Sequence, residues 1–424
     1  MNPRSLPGPI RNLGGAVEVP TSKSLTNRAL VVAAAAGGGR IVRPLDCEDT
    51  RLLAAALEQA GWPVGWGEEI VVGRRRSVTA AEVDLGNSGT GSRLIVGLLA
   101  CVPGRFRIDG SPRLRQRPMR PLLGALADLG AEISSDGGFL PVEVAGRRIE
   151  GGSIRIRPEV SSQFVSSLLL AGPLMRDGVR VEVLGPLPSR PYLELTRQVL
   201  RTFGAVVSSE GSTIWRVEPG GLRPTVSDIE GDWSAVAFAA AAVAVAGGRV
   251  SVGPVSSTSA QGDRAVCEIL RRAGVEVRYS EHEVVFEGPA TRAFDADLTA
   301  TPDLFPALSV VAAAGPTGSS LSGLDHLRHK ESDRLAVMID NLGRLGAAFD
   351  TSASSIRVRR PIGPNRSNGT PVTAADDHRV AMAMAVAALA AGPLELDDDG
   401  CVVKSFPGFW SMWQRLVESG SDQP

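Results

Sequence analysis

Lysine occurs only at Lys23, Lys330 and Lys404 in this chain of 424 residues; the rest of its 45 basic residues are arginine. Each lysine stands in a short polar cluster: S-K-S-L-T-N-R from Ser22, H-K-E-S-D-R from His329 and V-K-S-F-P from Val403. A chain so committed to arginine keeps lysine where a compact ammonium is needed, one that rotates its donors freely and can give up a proton. Arginines accompany them. Arg28 follows Lys23 by five residues, Arg334 follows Lys330 by one helical turn, Arg379 follows His378, and Arg117 lies in P-R-L-R-Q-R-P. Cations gathered in this way bind anions. Arg74–Arg76 has no such company and reads as exposed loop.

The elements that hold these residues repeat. Six polar clusters begin at Ser22, Asn87, Ser161, Gly231, Thr301 and Asp376, about 70 residues apart. Each is followed by an apolar helical run, such as Ala29–Ala36 or Ala235–Ala246. A second helix signal often follows and ends at glycine before an apolar strand, as in Leu122–Gly130 and Met338–Gly346. The unit reads as β-α-β-α-β-β, and six of them make an α/β protein of two similar domains, each with three units around a pseudo-threefold axis. The expected boundaries give one discontinuous domain of residues 1–20 plus 231–424 and a second of residues 21–230, the chain crossing at Pro20–Thr21 and near Glu230. Every polar cluster then stands at a helix N-terminus, where unpaired N–H groups and the helix dipole favour anions. Ordinary capping accounts for the Ser, Thr, Asn and Asp there, but not for the cations beside them.

Composition narrows the remaining classes. The net charge of −1 and pI near 6.5 give no overall field for nucleic acid or membrane, and the Arg117 run lacks aromatic interleaving. Cys47, Cys101, Cys267 and Cys401 show no paired spacing, which points to reduced thiols in a cytoplasmic protein. Met1–Pro20 has no apolar core of a secretory signal, and Ala235–Ala246 is too short to span a bilayer. Asp376-Asp377-His378 has no second ligand at metal spacing, and Asp397-Asp398-Asp399-Gly400 reads as a polar turn. No metal is expected.

From about Val17 to Leu416 the motifs resemble the 5-enolpyruvylshikimate-3-phosphate synthase family. P-T-S-K-S-L-T-N-R-A, L-G-N-S-G-T-G-S-R, S-P-R-L-R-Q-R-P, S-S-Q-F, S-R-P-Y, E-G-D-W-S, L-R-H-K-E-S-D-R, D-D-H-R-V-A-M-A and V-K-S-F-P occur in family order. The resemblance implies the enolpyruvyl transferase fold with an active site in the cleft between its domains. It implies transfer of the enolpyruvyl group of phosphoenolpyruvate to the 5-hydroxyl of shikimate 3-phosphate, in the shikimate pathway to chorismate and the aromatic amino acids. It also implies a monomer, without cofactor, and two small-molecule substrates as its partners.

Residue roles follow from the same resemblance. Lys23 would span both substrates; Ser24 and Arg28 would hold the shikimate carboxylate, and Ser161, Ser162 and Ser189 its phosphate. Gln163, Asp303, His326 and Lys330 would contact the shikimate portion, with Tyr192 close to its ring. Lys23, Gly89, Arg117 and Lys404 would hold phosphoenolpyruvate around its phosphate, with Arg334 and Arg379 at its carboxylate and Gln163 also in contact with it. Asp303 would be the base and Glu331 the acid and base at carbon, with Lys23 completing the catalytic set. His326 stands where the family often has Asn and is expected to add pH sensitivity, and His329 and Leu94 also depart from the common pattern. Gly89 leaves room for glyphosate. The nearest alternative, a UDP-N-acetylglucosamine enolpyruvyl transferase, would be expected to have Lys-Asn where Lys23-Ser24 stands and a reactive Cys within Pro112–Pro121, which has none. A non-catalytic anion-binding protein is the other alternative.

Overall fold

The apolar runs after the six polar clusters become six buried helices: Lys23–Ala35, Gly89–Ala100, Gln163–Ala171, Trp233–Ala246, Phe305–Ala314 and His378–Ala391. They are rich in alanine, a strong helix former whose small side chain lets neighbouring backbones approach closely. In the computed structural model, which describes residues 3–158, 160–363 and 369–421, the first three helices pack pairwise on one another and so do the last three. Every residue of Trp233–Ala246 is buried. Contacts divide the chain into a unit of Met1–Pro20 with Glu230–Pro424 and a unit of Thr21–Ile229. Each has its own hydrophobic core. Glu230 groups with the discontinuous unit because Ser259 Oγ and Gln261 Nε2 donate to its carboxylate at 2.7 and 3.0 Å.

Each buried helix is followed, after a strand, by a helix or short helical turn with one apolar face. In Arg120–Asp128 the buried face is Leu122, Leu123, Ala125 and Leu126. Gly130 (φ 98°) and Gly274 (φ 100°) turn the chain out of such helices through the left-handed region, which a side chain would resist. Among the described residues the strands form six sheets, five of four strands and one of three. In a representative unit Ala80–Asp84 runs parallel to Gly104–Asp109, which pairs antiparallel with Val142–Gly146, itself hairpinned to Glu132–Ser135. This is the expected β-α-β-α-β-β order.

Two strands are exchanged. Ala16–Glu18 leads into the Lys23–Ala35 helix, yet pairs with Arg249–Gly253, Ala16 opposite Ser251. Val226–Asp228 leads into the Trp233–Ala246 helix, yet pairs with Gly39–Val42, Val226 opposite Arg40. The three-stranded sheet is completed from the other end of the chain, with Arg4–Leu6 antiparallel to Leu394–Leu396 and Arg4 opposite Leu396. Among the described residues no helix is long and apolar enough to cross a membrane.

Arg74–Arg76 lies in a loop with Arg74 and Arg76 exposed, while Arg75 is half-buried, with Nε on Ala60 O at 2.9 Å and its guanidinium 5.1 Å from the centre of the Trp62 ring, so an aromatic face and a backbone carbonyl fix it.

Close packing at the helix centres makes them intolerant of added volume. Ala240→Leu is expected to lower stability by about 1–3 kcal/mol, read from the urea midpoint, whereas Glu281→Ala on the surface stays within about 0.5 kcal/mol.

Candidate active site

In the Glu230–Pro424 part of the discontinuous unit, the helix N-termini gather charge around one guanidinium. Arg334 is buried, yet three carboxylates reach it. Nε donates to Asp377 Oδ2 at 2.8 Å, Nη1 to Asp303 Oδ1 at 2.9 Å and Nη2 to Glu331 Oε2 at 2.6 Å. Burial alone would lower its pKa, but Asp377, Glu331 and Asp303 together raise it above the ordinary arginine range. Asp303 also receives Arg379 Nη2 at 3.0 Å and has Lys330 Nζ at 3.9 Å. Burial pushes Asp303 up, but Arg379, Lys330 and Arg334 outweigh it and hold the carboxyl well below the usual range.

The backbone aims these groups. Asp377 caps the His378–Ala391 helix by accepting from Arg379 N at 3.0 Å, so one buried side chain orients both Arg334 and Arg379. Ala375 and Asp376 before it both adopt left-handed backbone, φ 51° and 54°. Such conformations cost roughly 1 kcal/mol or more each and gather where geometry serves a site. Lys404 is buried at the end of the Gly400–Lys404 turn. His326 is buried beside Lys330 and Asp303, and its pKa is pushed down to about 4, mostly by burial and then by Lys330. Its surroundings thus favour the neutral imidazole.

The Thr21–Ile229 unit holds the other half of the candidate residues. Lys23 begins its helix and places Nζ 2.9 Å from Asp49 Oδ2, both side chains nearly buried. Arg28, one turn later, is 1% exposed. Its Nε donates to Thr196 Oγ1 at 2.9 Å, Nη1 to Ser24 O at 2.9 Å and Nη2 to Ser166 Oγ at 3.4 Å, and it lies 5.6 Å from the Tyr192 ring centre. Among the described residues no carboxylate pairs with it, and burial lowers its pKa to about 10. Gly89 opens the next buried helix directly against Arg117, where an added Cβ would collide with the guanidinium. Gln163 Oε1 accepts from Arg93 Nη1 at 2.7 Å, and its Nε2 donates to Thr90 Oγ1 at 2.8 Å. Arg93 also reaches Ser161 Oγ at 3.3 Å. Ser162 precedes the same helix without a side-chain cap bond, and Ser189 sits buried in left-handed backbone, φ 57°.

The structure thus joins Asp303, Lys330, Glu331, Arg334 and Arg379 in one network, Gly89 to Arg117, Gln163 to Ser161 through Arg93, and Arg28 to Ser24 and Tyr192. Sequence reasoning missed Asp49, Asp377, Thr196 and Arg93 as partners of these groups. Arg93 stood within the quoted N-S-G-T-G-S-R, and Asp377 within D-D-H-R, so position in a polar cluster was the available signal. Among the described residues no group of three His, Cys, Asp or Glu side chains could hold a metal ion.

Removing the shared cation strands its carboxylates. Arg334→Met is expected to lose about 3–5 kcal/mol at neutral pH, measured by urea unfolding. Part of that loss should return toward about pH 4, as carboxylates deprived of their cation take up protons. The parent chain runs the other way: the stability that depressed Asp303 contributes is present above its ordinary pKa and lost as pH falls below it.

Comparison with known proteins places this arrangement. The sequence profile for EPSP synthase (3-phosphoshikimate 1-carboxyvinyltransferase) matches residues 7–413. A 3-phosphoshikimate 1-carboxyvinyltransferase of Methanoculleus marisnigri is 39% identical, covering 93% of this chain and 95% of its own length. One from Mycobacterium ulcerans is also 39% identical, over 96% of this chain and 95% of its own. The crystal structure of EPSP synthase from Acinetobacter baumannii superposes with a TM-score of 0.77 at 27% identity, covering 98% of each chain. The enolpyruvyl transferase NikO from Streptomyces tendae, at 20% identity and a TM-score of 0.77, over 97% of this chain and 96% of its own, shares the fold. With its helix-end cations, its sheet order and a match along nearly its whole length, this chain belongs to the EPSP synthase (3-phosphoshikimate 1-carboxyvinyltransferase) family.

Proposed function

We propose that this chain transfers the enolpyruvyl group of phosphoenolpyruvate to the 5-hydroxyl of shikimate 3-phosphate, releasing phosphate. The observation that carries the reading is Asp303 and Glu331 held on Arg334 beside Lys330 and Arg379, in a chain whose relatives bear the name of this activity. The two substrates bring about six negative charges together at neutral pH. Buried cations and helix N-termini offset that repulsion in advance, without reorganising at the moment of reaction. Arg28, Ser24 and the serines at 161, 162 and 189 serve shikimate 3-phosphate, with Gln163, His326 and Lys330. Lys23, Gly89, Arg117 and Lys404 serve the phosphate of phosphoenolpyruvate, and Arg334 and Arg379 its carboxylate. The chain acts as a cytoplasmic monomer, a compartment that suits four free thiols.

The chemistry follows from competition for the guanidinium groups. Without substrate, Asp303 and Glu331 occupy the donors of Arg334. A substrate carboxylate arriving at Arg334 and Arg379 takes a share of those donors, so Asp303 becomes more basic and Glu331 is released. Asp303 accepts the 5-hydroxyl proton as that oxygen bonds to the enol-ether carbon, and Glu331 delivers a proton to the methylene carbon. The ketal phosphate then breaks its carbon–oxygen bond to phosphate, which leaves with the proton that Asp303 took, and Glu331 recovers a proton from the methyl group, restoring the double bond.

Phosphate release should require shikimate 3-phosphate and phosphoenolpyruvate together and should fall by about 100-fold or more in Lys23→Ala. Release with UDP-N-acetylglucosamine in place of the shikimate substrate would transfer the reading to that acceptor, and no release from folded protein would leave anion binding alone. Glyphosate should inhibit in competition with phosphoenolpyruvate. Gly89→Ala, whose methyl must displace the Arg117 guanidinium, should weaken both by about tenfold or more, read from KM and the inhibition constant.

A further inference from the structure

Asp263 is a buried carboxyl that takes no part in the reaction as derived above. It sits in the short turn Gly262–Ala265, against the N-terminus of the Trp233–Ala246 helix, and is 3% exposed. Ser234 Oγ hydrogen-bonds its Oδ2. Its Oδ1 is buried and, among the described residues, has no hydrogen-bond partner. A bare carboxylate oxygen in a dry interior is costly, and a proton removes that cost. The charged groups facing it come from three elements: Asp303 from the Pro302–Leu304 turn, Arg379 from the start of the His378–Ala391 helix, and Asp232 from the cap of the Trp233–Ala246 helix.

We propose that Asp263 is a positioning residue that works as a neutral acid: while it carries its proton, Arg379 is left to Asp303 and the substrate carboxylate, and when it ionises it draws on Arg379 and repels that carboxylate. The inference rests on the reaction proposed above and adds a controlling group to it. Burial first, and then Asp303, raise the Asp263 carboxyl to about 7 against the pull of Arg379. Proton and substrate are then linked. An anion arriving at Arg379 favours protonated Asp263, and protonated Asp263 favours the anion by the same factor.

The test is KM for phosphoenolpyruvate against pH, from about pH 6 to about pH 8.5, in the parent chain and in Asp263→Asn, whose amide mimics the neutral acid. In the parent, KM should rise roughly fivefold or more across neutrality with a smaller change in kcat; in Asp263→Asn the rise should vanish. Ser234→Ala removes a hydrogen bond that favours the ionised form and should move the rise to higher pH. Parallel profiles in the parent and Asp263→Asn, or an unmoved midpoint in Ser234→Ala, would overturn the proposal.

A readout without turnover separates the two claims. Because the folded-state pKa of Asp263 is raised, the parent should lose stability relative to Asp263→Asn as pH climbs from about 4 to about 7 and then level off. A constant difference across that range would also sink the proposal. Absence of turnover in the parent chain near pH 6.5, with that stability signature intact, would count against the reaction and not against the proton on Asp263.

Discussion

A helix buried on every side can offer chemistry only at its ends. That constraint governs this chain, because the alanine-rich helices at the centre of each unit present no solvent face along which a functional side chain could be placed. Their C-termini run into glycine and strand, while their N-termini carry N–H groups left over by the helix geometry. Polar side chains therefore collect at the N-terminal ends, where serine and aspartate cap and where Lys23, Gly89, Gln163 and Arg379 begin or nearly begin a helix. The threefold repetition of one motif in each unit is thereby a repetition of anion-favouring termini, and the outer sheets serve to hold those ends in register.

Two buried arginines answer the cost of burial in different ways. Arg334 is compensated by Asp303, Glu331 and Asp377, so its charge is secured before any ligand arrives. Arg28 has hydroxyls, a backbone carbonyl and an aromatic face, and burial pulls its pKa down. The first arrangement is a reservoir from which donors can be diverted. The second is a cation with no carboxylate beside it among the described residues, as the role proposed for it requires.

Much of the unit was legible in the sequence because it is local. Cluster, apolar run, glycine and strand follow one another along the chain, and lysine rarity picked out positions that the structure places at helix ends or beside Asp303. What was illegible depends on partners far away in sequence. Nothing in A-V-E at residues 16–18 says that it pairs with Arg249–Gly253 instead of staying with the helix it leads into. Asp49 lies 26 residues beyond Lys23, and only folding brings the two together. His326 was read by its ordinary titration range, whereas burial and then Lys330 push its pKa down. Arg75 was read as exposed because the Trp62 ring beneath it lies outside its own cluster.

The exchanged strands set an order on assembly during synthesis. The Thr21–Ile229 unit is a single stretch of chain and can close once Val226–Asp228 has left the ribosome to meet Gly39–Val42. The first twenty residues cannot. Arg4–Leu6 must await Leu394–Leu396, on the order of tens of seconds at ordinary rates of translation. Through that interval a folded body trails an unpaired leading segment, which makes the earliest residues of this chain the last to be protected from chaperones and proteases.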